Sequence, residues 1–490
     1  MLARLSRPLA VRQLASCTCA RVATPAAARA APARPLSLAA PAPSPHRSAL
    51  SPRPPVAQIF RRTYAARPKP TEPIVVEGVS YPRDAFSNAT PAILDKVPRR
   101  LHLDPAHPIG ILRKLVEDHF SSFEHLNSLS PIVTVQQNFD DLGFPADHPG
   151  RALTDSYYLN RQHMLRTHTS AHEVECFRAG MDRFLIAADV YRRDEIDRSH
   201  YPVFHQMEGA YVVDPAAGGI ERLERENAEM QKELRAANIE IEDPTREETP
   251  TNPYQAAHDP RSARIISEHL KNSLNGMVLK LFGPQASQAG EPLRVRWIEA
   301  TFPWTGPSYE VEVWFNGQWL EILGCGVMQQ HTLERSGVGH KQGWAFGLGL
   351  ERIAMVLFSI PDIRLFWSRD ARFASQFRAG EISTFKPYSR FPECYKDVAF
   401  WIPSADEARE AGREKWHEND FMEIVRGEAG DLVENVQLID EFVHPKTGRT
   451  SRCYRLNYRS MDRSLSNEEV NVMQDKVVER IVSDLGVEVR

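Results

Sequence analysis

The chain has 490 residues and a mass of 55.5 kDa, which at roughly 150 residues per domain sets an expectation of two or three cores. It is 42% hydrophobic and 25% charged, the balance of a soluble globular protein, and no run of about 18 uncharged apolar residues offers a membrane span. The net charge of −4 hides an uneven distribution: residues 1–70 hold eleven Arg and Lys69 with no acidic residue, so the remainder carries −16.

Residues 1–70 contain 12 of the 36 prolines, many Ala and Ser and scattered Arg, which leaves too few apolar side chains for a core. An Arg-rich, acid-poor N-terminus of this kind reads as an organelle transit peptide; a disordered basic tail that binds anions is the alternative. Arg62-Thr63-Tyr64-Ala65 resembles a matrix-peptidase recognition pattern. The expectation is a mitochondrial transit peptide over 1–64, a matrix location, and an N-terminal extension over 65–106. Cys17 and Cys19 fall in the removable segment, while Cys176, Cys325, Cys394 and Cys453 stand isolated along the chain. With no C-x-x-C pair, neither a zinc site nor a disulfide framework is indicated.

From about 72 to 388 helical and extended stretches alternate. After the apolar run Phe184–Val190 come Arg192, Arg193 and Asp194, then His200, His205, Gln206 and Glu208. A guanidinium matches carboxylate or phosphate with a planar fork of donors, and Gln and Glu can hold an ammonium group. Gly219–Glu242 is charged almost all round and is followed by the Pro/Thr/Glu-rich stretch Asp243–Pro253, which predicts a surface insertion over about 215–260. Helical periodicity resumes at Arg264–Leu281, with Ile265, Ile266, Leu270, Leu274, Val278 and Leu281 on one face.

Tyr309–Phe315 alternates, Asn316-Gly317 follows, and Gln318–Leu323 is again extended, the signal for a hairpin with a two-residue turn. Pairing Phe315 with Gln318 sets Glu312 opposite Glu321, and opposed like charges destabilise a sheet. A divalent cation, such as Mg²⁺ bound together with phosphates, or a substrate ammonium would neutralise them; a solvated face or another register removes the need. Gly343–Arg352 then runs into the apolar helix Ile353–Ser359. Its small residues let backbone approach a ligand closely, and Arg352 at the helix start can face an anion; it is not a dinucleotide fingerprint.

Arg378–Pro392, with Gly380, Pro387 and Pro392, reads as a linker. Beyond it, over 393–490, the pattern is strand (Lys396–Ile402), helix (Ala405–Gly427), strands (Leu432–Val443 and Thr450–Arg459), helix (Asn467–Leu485) and strand (Val487–Arg490). This β-α-β-β-α-β order is ferredoxin-like. Ser466 and Glu469 form a capping box at the start of the last helix.

Several of these stretches occur in the order of one known family. Tyr191-Arg192-Arg193-Asp194 resembles motif 2 of the class II aminoacyl-tRNA synthetases, with Asp in place of the generic Glu, and Gly347-Leu348-Gly349-Leu350-Glu351-Arg352 resembles motif 3. Leu165–Ser170, Phe204–Gly209, Phe302–Thr305, Gly324–Gly326 and Gly343–Gly347 narrow the resemblance to the single-chain mitochondrial phenylalanyl-tRNA synthetases. It covers roughly 90–490, with a weak motif 1 near His107–Gly110. The resemblance implies an α+β fold: a class II antiparallel sheet flanked by helices over 107–377, joined to a ferredoxin-fold anticodon-binding domain. It implies ATP-dependent activation of L-phenylalanine to phenylalanyl adenylate with release of pyrophosphate, then transfer to the terminal ribose of mitochondrial tRNA(Phe), by a monomer, with Mg²⁺ accompanying ATP.

The site residues follow from the same resemblance. Arg192, Arg352 and Glu208 are the catalytic set, with Arg192 holding the substrate carboxylate and the α-phosphate and Phe204 and Arg352 enclosing the adenine. Ser170, Gln206 and Glu208 bind the ammonium; His168, His172 and His200 line the ATP side; Glu321 and Phe346 contact ligand; and Phe302, Trp304 and Ala345 form the aromatic pocket. Trp304 stands where Phe is more usual. Ala171, Glu173, Ser199, Tyr201 and Met207 complete the substrate and ATP set, and Glu312 and Glu321 are the candidate metal ligands.

His444–Arg463 holds Lys446, Arg449, Arg452, Arg455, Arg459 and Arg463 against Asp462 alone, a local +5. Tyr454 and Tyr458 interleave with them. Aromatic faces stack on unpaired bases while cations meet phosphates, so Lys446, Arg449, Arg452, Tyr454, Arg455, Tyr458 and Arg459 are the candidate tRNA contacts. The alternative is a solvated charged hairpin over core tyrosines.

Overall fold

The computed structural model describes residues 72–387, 391–413 and 415–490. The expected transit peptide, the cut near Ala65 and part of the linker lie outside the described residues.

The larger sheet has eight strands: β1 (Glu124–Leu126), β2 (Arg183–Tyr191), β3 (Val203–Val213), β4 (Ile239–Glu242), β5 (Leu293–Ala300), β6 (Thr305–Phe315), β7 (Gln318–Met328) and β8 (Gln342–Gly349). They lie in the order β1-β2-β3-β8-β7-β6-β5-β4. The interior pairs are antiparallel and the two end pairs, β1 with β2 and β4 with β5, are parallel. Helices α1 (Pro108–His119), α2 (Glu173–Arg178), α3 (Gly219–Ala236), α4 (Pro260–Ala289) and α5 (Leu350–Leu357) accompany it. The main core lies where one face of the sheet meets α1, α4 and α5, and the six apolar residues predicted for the α4 face are all buried there. Two-residue alternation decides what faces the other way: in β6, Tyr309, Val311 and Val313 enter this core, so Glu310 and Glu312 stand on the opposite face.

The hairpin has the expected register, with Phe315 paired to Gln318 and Glu312 to Glu321. Its turn places Asn316 and Gly317 at φ +49° and +82°, the positive values that select Asn-Gly in a tight hairpin.

The stretch predicted as a surface insertion is anchored to the fold at several points. Ile220 and Leu223 of α3 join the main core, the Asn227 side-chain amide donates to the Ile265 carbonyl at 3.1 Å, and Ile239–Glu242 is an edge strand of the sheet. Buried Lys271 of α4 ties the segment down through Asp243 at 3.0 Å and the Thr245 carbonyl at 2.7 Å. A charged sequence obscures this because one narrow apolar stripe suffices to dock a helix whose other faces stay in water.

The C-terminal sheet comprises β9 (Cys394–Trp401), β10 (Val433–Val443), β11 (Thr450–Tyr458) and β12 (Glu488–Val489), antiparallel in the order β10-β11-β9-β12. With α6 (Glu418–Ala429) and α7 (Asn467–Leu485) it forms the ferredoxin-like unit. The single helix expected over 405–427 is two, a short turn over Ala405–Glu410 and then α6. The α7 capping box is present in full.

Candidate active site

The face of the large sheet turned away from α1, α4 and α5 gathers the chemistry. Phe204, Gln206 and Glu208 project from β3, whose alternate residues Met207 and Tyr211 enter the core. Beneath Glu208 the loop before α2 supplies two hydroxyls: Thr169 donates to Glu208 Oε2 at 3.0 Å, and Ser170 donates to the same oxygen. Glu208 Oε1 and Gln206 Oε1 are buried without a donor. Buried acceptors left unpaired are costly, and two of them converging from one strand face suit the N–H groups of an ammonium ion.

Beside them stands an aromatic wall. Phe302 and Trp304 stack with centroids 6.0 Å apart and planes at 9°, and Trp304 lies 5.4 Å from Phe144, whose ring is parallel to His168 at 5.6 Å. Gly324 makes the wall possible, because a Cβ there would meet the Phe302 ring at 2.6 Å. Burial and the neighbouring Arg192 charge push the His168 imidazole down to about 3, so it is a neutral part of this wall. Ala345, across from Gly326 in the adjoining strand, lies on the same sheet face.

The polar end is set by two arginines. Arg192 Nε donates to the Thr167 carbonyl at 2.8 Å, and its guanidinium lies 5.2 Å from the Phe204 ring centre. Arg352, in the first turn of α5, meets Glu321 at 3.1 Å. Glu351 is turned inward and accepts from the His205 main-chain N–H at 2.7 Å and from His205 Nδ1 at 2.6 Å. Both side chains are buried, which fixes the Phe204–Gln206 segment against the helix that carries Arg352. Arg166 braces the loop from below: it is buried against Asp189 and reaches the Leu129 and Ser130 carbonyls and His172.

Comparison with known proteins places this arrangement. Residues 96–224 and 263–377 match the tRNA synthetases class II core domain (F), and residues 389–490 match the ferredoxin-fold anticodon binding domain. The chain is 47% identical over 449 residues to the mitochondrial phenylalanine–tRNA ligase of Saccharomyces cerevisiae, covering 85% of this chain and 95% of that one. It belongs to the phenylalanine–tRNA ligase family. The mitochondrial ligase of Mus musculus is 43% identical over 440 residues, 87% of this chain and 91% of that one. The chloroplastic/mitochondrial ligase of Arabidopsis thaliana is 46% identical over 413 residues, 83% of each.

Within this synthetase core several expected ligand contacts are turned elsewhere. Met207 and Phe346 face the main core, because each is one residue out of phase with the site face; the Phe346 ring packs on Gly209, where a Cβ would stand 2.4 Å from it. His172 is buried between Arg166 at 3.1 Å and Glu175 at 3.4 Å rather than lining an open site. Ala171 joins a small apolar cluster with Phe139 and Tyr158. Glu173 is buried behind Glu208. Tyr201 points to the C-terminal domain and donates to Asp431.

Ser199 and His200 both engage Asp197, the imidazole at 2.6 Å. Burial opposes ionisation of Asp197, yet that imidazole and the Ser199 donors hold it down to about 2. The motif 2 loop itself is docked on the anticodon-binding domain: Ile196 sits in that domain's core, and its carbonyl accepts from the Val436 N–H at 3.1 Å.

The opposed glutamates are neutralised by arginine, Glu312 by Arg296 and Glu321 by Arg352, so the register does not itself demand a metal. Among the described residues no group of three or more His, Cys, Asp or Glu could hold a metal ion. Burial, then the charges of Glu321 and Glu312, raises the Glu310 carboxyl, the response of a half-buried carboxyl set among acidic neighbours. This donor set fits only an ion that brings most of its own ligands.

In the anticodon-binding domain the expected base-stacking tyrosines are core residues. Tyr454 and Tyr458 are 0% exposed and pack beneath α6 and α7 with Leu456, because the inward face of β11 takes alternate residues. Arg452 pairs with Glu441 at 2.7 Å, Arg455 with Asp397 at 2.8 Å and Arg459 with Glu434 at 3.2 Å, which cancels much of the local charge. Lys446 stays exposed in the turn between β10 and β11. The open face carries aromatics that the sequence reading passed over. Trp401 and Phe442 both stand level with Ser451 of the strand between them, their rings 6.1 Å apart. Arg449 and Arg490 lie over Trp401 at 5.4 and 5.7 Å.

Proposed function

We propose that this chain is a phenylalanine–tRNA ligase of mitochondria: it joins L-phenylalanine to tRNA(Phe) at the expense of ATP. The observation that carries the reading of the site is the pair of unpartnered acceptors, Gln206 Oε1 and Glu208 Oε1, set beside the Phe302–Trp304 wall. The first recognises an ammonium group and the second a phenyl ring, whose edge-to-face contacts with aromatic neighbours add to its burial.

Arg192 meets both the substrate carboxylate and the α-phosphate of ATP. Attack of that carboxylate oxygen on the α-phosphorus expels pyrophosphate and leaves phenylalanyl adenylate. Arg192 and Arg352 stabilise the charge that develops on phosphate oxygens, so positioning and electrostatics supply the catalysis and no side-chain nucleophile is required. Phe204, under the Arg192 guanidinium, and Arg352 enclose the adenine. Glu321, with Glu310 beside it, would hold the Mg²⁺ that arrives with ATP, and that ion would neutralise phosphate charge. The terminal ribose hydroxyl of the tRNA then attacks the adenylate carbonyl and releases AMP. Trp401 and Phe442, with Arg449, Arg490 and Lys446, offer the anticodon arm stacking surfaces and phosphate contacts. The working form is a monomer in the matrix.

Aminoacylation of mitochondrial tRNA(Phe) with each amino acid in turn tests the reading. Charging with phenylalanine, and weakly with tyrosine because a hydrophobic pocket rejects an added hydroxyl by only about a hundredfold, is the expected result. Charging with a different amino acid, or none, overturns it.

A further inference from the structure

The hairpin of β6 and β7 carries a second aromatic group on the sheet face that gathers the chemistry. Phe315 and Leu320 pack against the main core, so their neighbours Trp314 and Trp319 stand on the opposite face with Glu312 and Glu321. The two indoles are paired across the hairpin, with centroids 5.5 Å apart and planes at 69°, and both are partly exposed. Arg294 of β5 lies 5.2 Å from the Trp314 ring centre and 5.5 Å from that of Trp319, and Arg296 lies 4.3 Å from Trp319. Arg296 is held by Glu312. Arg294 is exposed, and its ion-pair partner Glu240 stands 3.9 Å away in water, a contact that contributes little.

Register fixes where this group lies. Met207, Leu348, Leu323 and Val311 pair in one row across β3, β8, β7 and β6. Four residues back from that row along β3 is Val203, which directly follows the motif 2 loop; four back along β7 is Trp319, and three on along β6 is Trp314. The strands alternate in direction, so all three displacements run to the same end of the sheet. Trp319 lies two strands from β3, roughly 10 Å at the usual strand spacing, and the Arg352–Glu321 pair at 3.1 Å stands beside it. The anticodon-binding domain docks on the motif 2 loop at this same end, whereas Gly324, Gly326 and the aromatic wall lie further along β7.

The 3′ end of a tRNA acceptor is single-stranded, and its terminal ribose must reach the adenylate carbonyl, so the preceding nucleotides cross the mouth of the site. Every base has a π-face, and indole and guanidinium planes stack on it whatever the sequence. We propose that the Trp314–Trp319 face of the hairpin is the platform that receives this unpaired 3′ end: a base stacks on the indole and guanidinium planes, and Arg294 meets a backbone phosphate. The inference rests on the reading of the chain as a tRNA ligase and adds the surface that guides the acceptor end. The carboxylates nearest the platform, Glu312 and Glu321, are each held by an arginine, so they do not confront the phosphates uncompensated.

Aminoacylation by the full chain, for wild type, Trp314→Ala with Trp319→Ala, Trp319→Phe and Arg294→Glu, tests this beside ATP–pyrophosphate exchange measured without tRNA. Loss of a base stack raises the KM for tRNA about tenfold or more, and Arg294→Glu raises it too, most at low salt, because repulsion replaces a phosphate contact. Trp319→Phe keeps a π-face and stays within a few-fold of wild type. Exchange by Arg294→Glu, with its KM for phenylalanine and its thermal midpoint, stays at wild-type values. Filter binding locates the contact: wild type holds intact tRNA more tightly than tRNA trimmed of its unpaired 3′ nucleotides, and the impaired variants lose that difference. If the double Trp variant does not fold, Arg294→Glu carries the test.

An unchanged KM for tRNA in Arg294→Glu, or a loss of binding that is equal on intact and trimmed tRNA, overturns the inference and leaves the proposed function standing. Lost exchange in Arg294→Glu also overturns it, because the hairpin would then serve the ATP site. A folded wild type that charges tRNA with no amino acid overturns both.

Discussion

Replacing Gly324 by alanine should separate the amino-acid pocket from the rest of the site. The new Cβ would lie 2.6 Å from the Phe302 ring, and ordinary carbon contacts need about 3.5 Å or more, so the ring must retreat by about 1 Å. The atom met is the far end of a half-buried side chain, so the fold tolerates the change. The pocket does not: overpacking costs about 1–3 kcal/mol, and a displacement of about 1 Å at a binding wall can cost a hundredfold. The KM for phenylalanine should rise about ten- to a hundredfold in ATP–pyrophosphate exchange, with the KM for ATP and the thermal midpoint close to wild type. Gly326→Ala is the contrasting case, because its Cβ would meet the Pro307 carbonyl oxygen at 2.4 Å and the backbone itself must move. A Gly324→Ala protein that binds phenylalanine like wild type would show that Phe302 is no wall of the pocket, and equal damage to ATP binding would show that the strand had shifted.

Three further outcomes are expected. Arg192→Ala should lower the rate of adenylate formation by about 10²–10³-fold, the loss seen when a donor to developing charge is removed, while filter binding of tRNA stays largely intact. Phenylalanine must meet Glu208 as an anion, and burial raises that carboxyl above its ordinary value; its KM should therefore climb as pH falls through a value higher than that of an exposed glutamate, and Glu208→Gln should remove the limb together with most of the affinity. Trp401→Ala with Phe442→Ala should weaken tRNA binding by about tenfold or more, at roughly 1–3 kcal/mol per stacked base, and leave exchange untouched; Tyr454→Phe should leave tRNA binding as it is.

Where a local rule determines the structure, the sequence was sufficient. Asn316-Gly317 sets its own turn and with it the register that opposes Glu312 and Glu321; Ser466 and Glu469 cap their helix as read; the apolar stripe of α4 is buried as counted. The failures occur where a partner distant in sequence chooses between two faces. Tyr454 and Tyr458 lie on an alternating strand whose two sides differ little in polarity, and only α6 and α7 packed on one side make them core. Met207 and Phe346 sit within motifs rich in ligand-facing residues, but the pleat turns every second side chain away. The roles of Phe144, of Arg166 and of the His205–Glu351 pair were not legible, because each matters through a neighbour more than twenty residues away. In the charged helix α3 the docking of Ile220 and Leu223 on the core was hidden for the opposite reason: the docking stripe is narrow and the solvated faces dominate composition.

Amino-acid-dependent ATP–pyrophosphate exchange by the purified chain, across all twenty amino acids and without tRNA, tests the proposed activity most directly. Exchange with phenylalanine, and weakly with tyrosine, is the predicted result, because the proposed site would hold an ammonium, a carboxylate, a phenyl ring and ATP without help from RNA. Protein shown to be folded that exchanges with no amino acid, or that prefers an aliphatic or charged one, would contradict it.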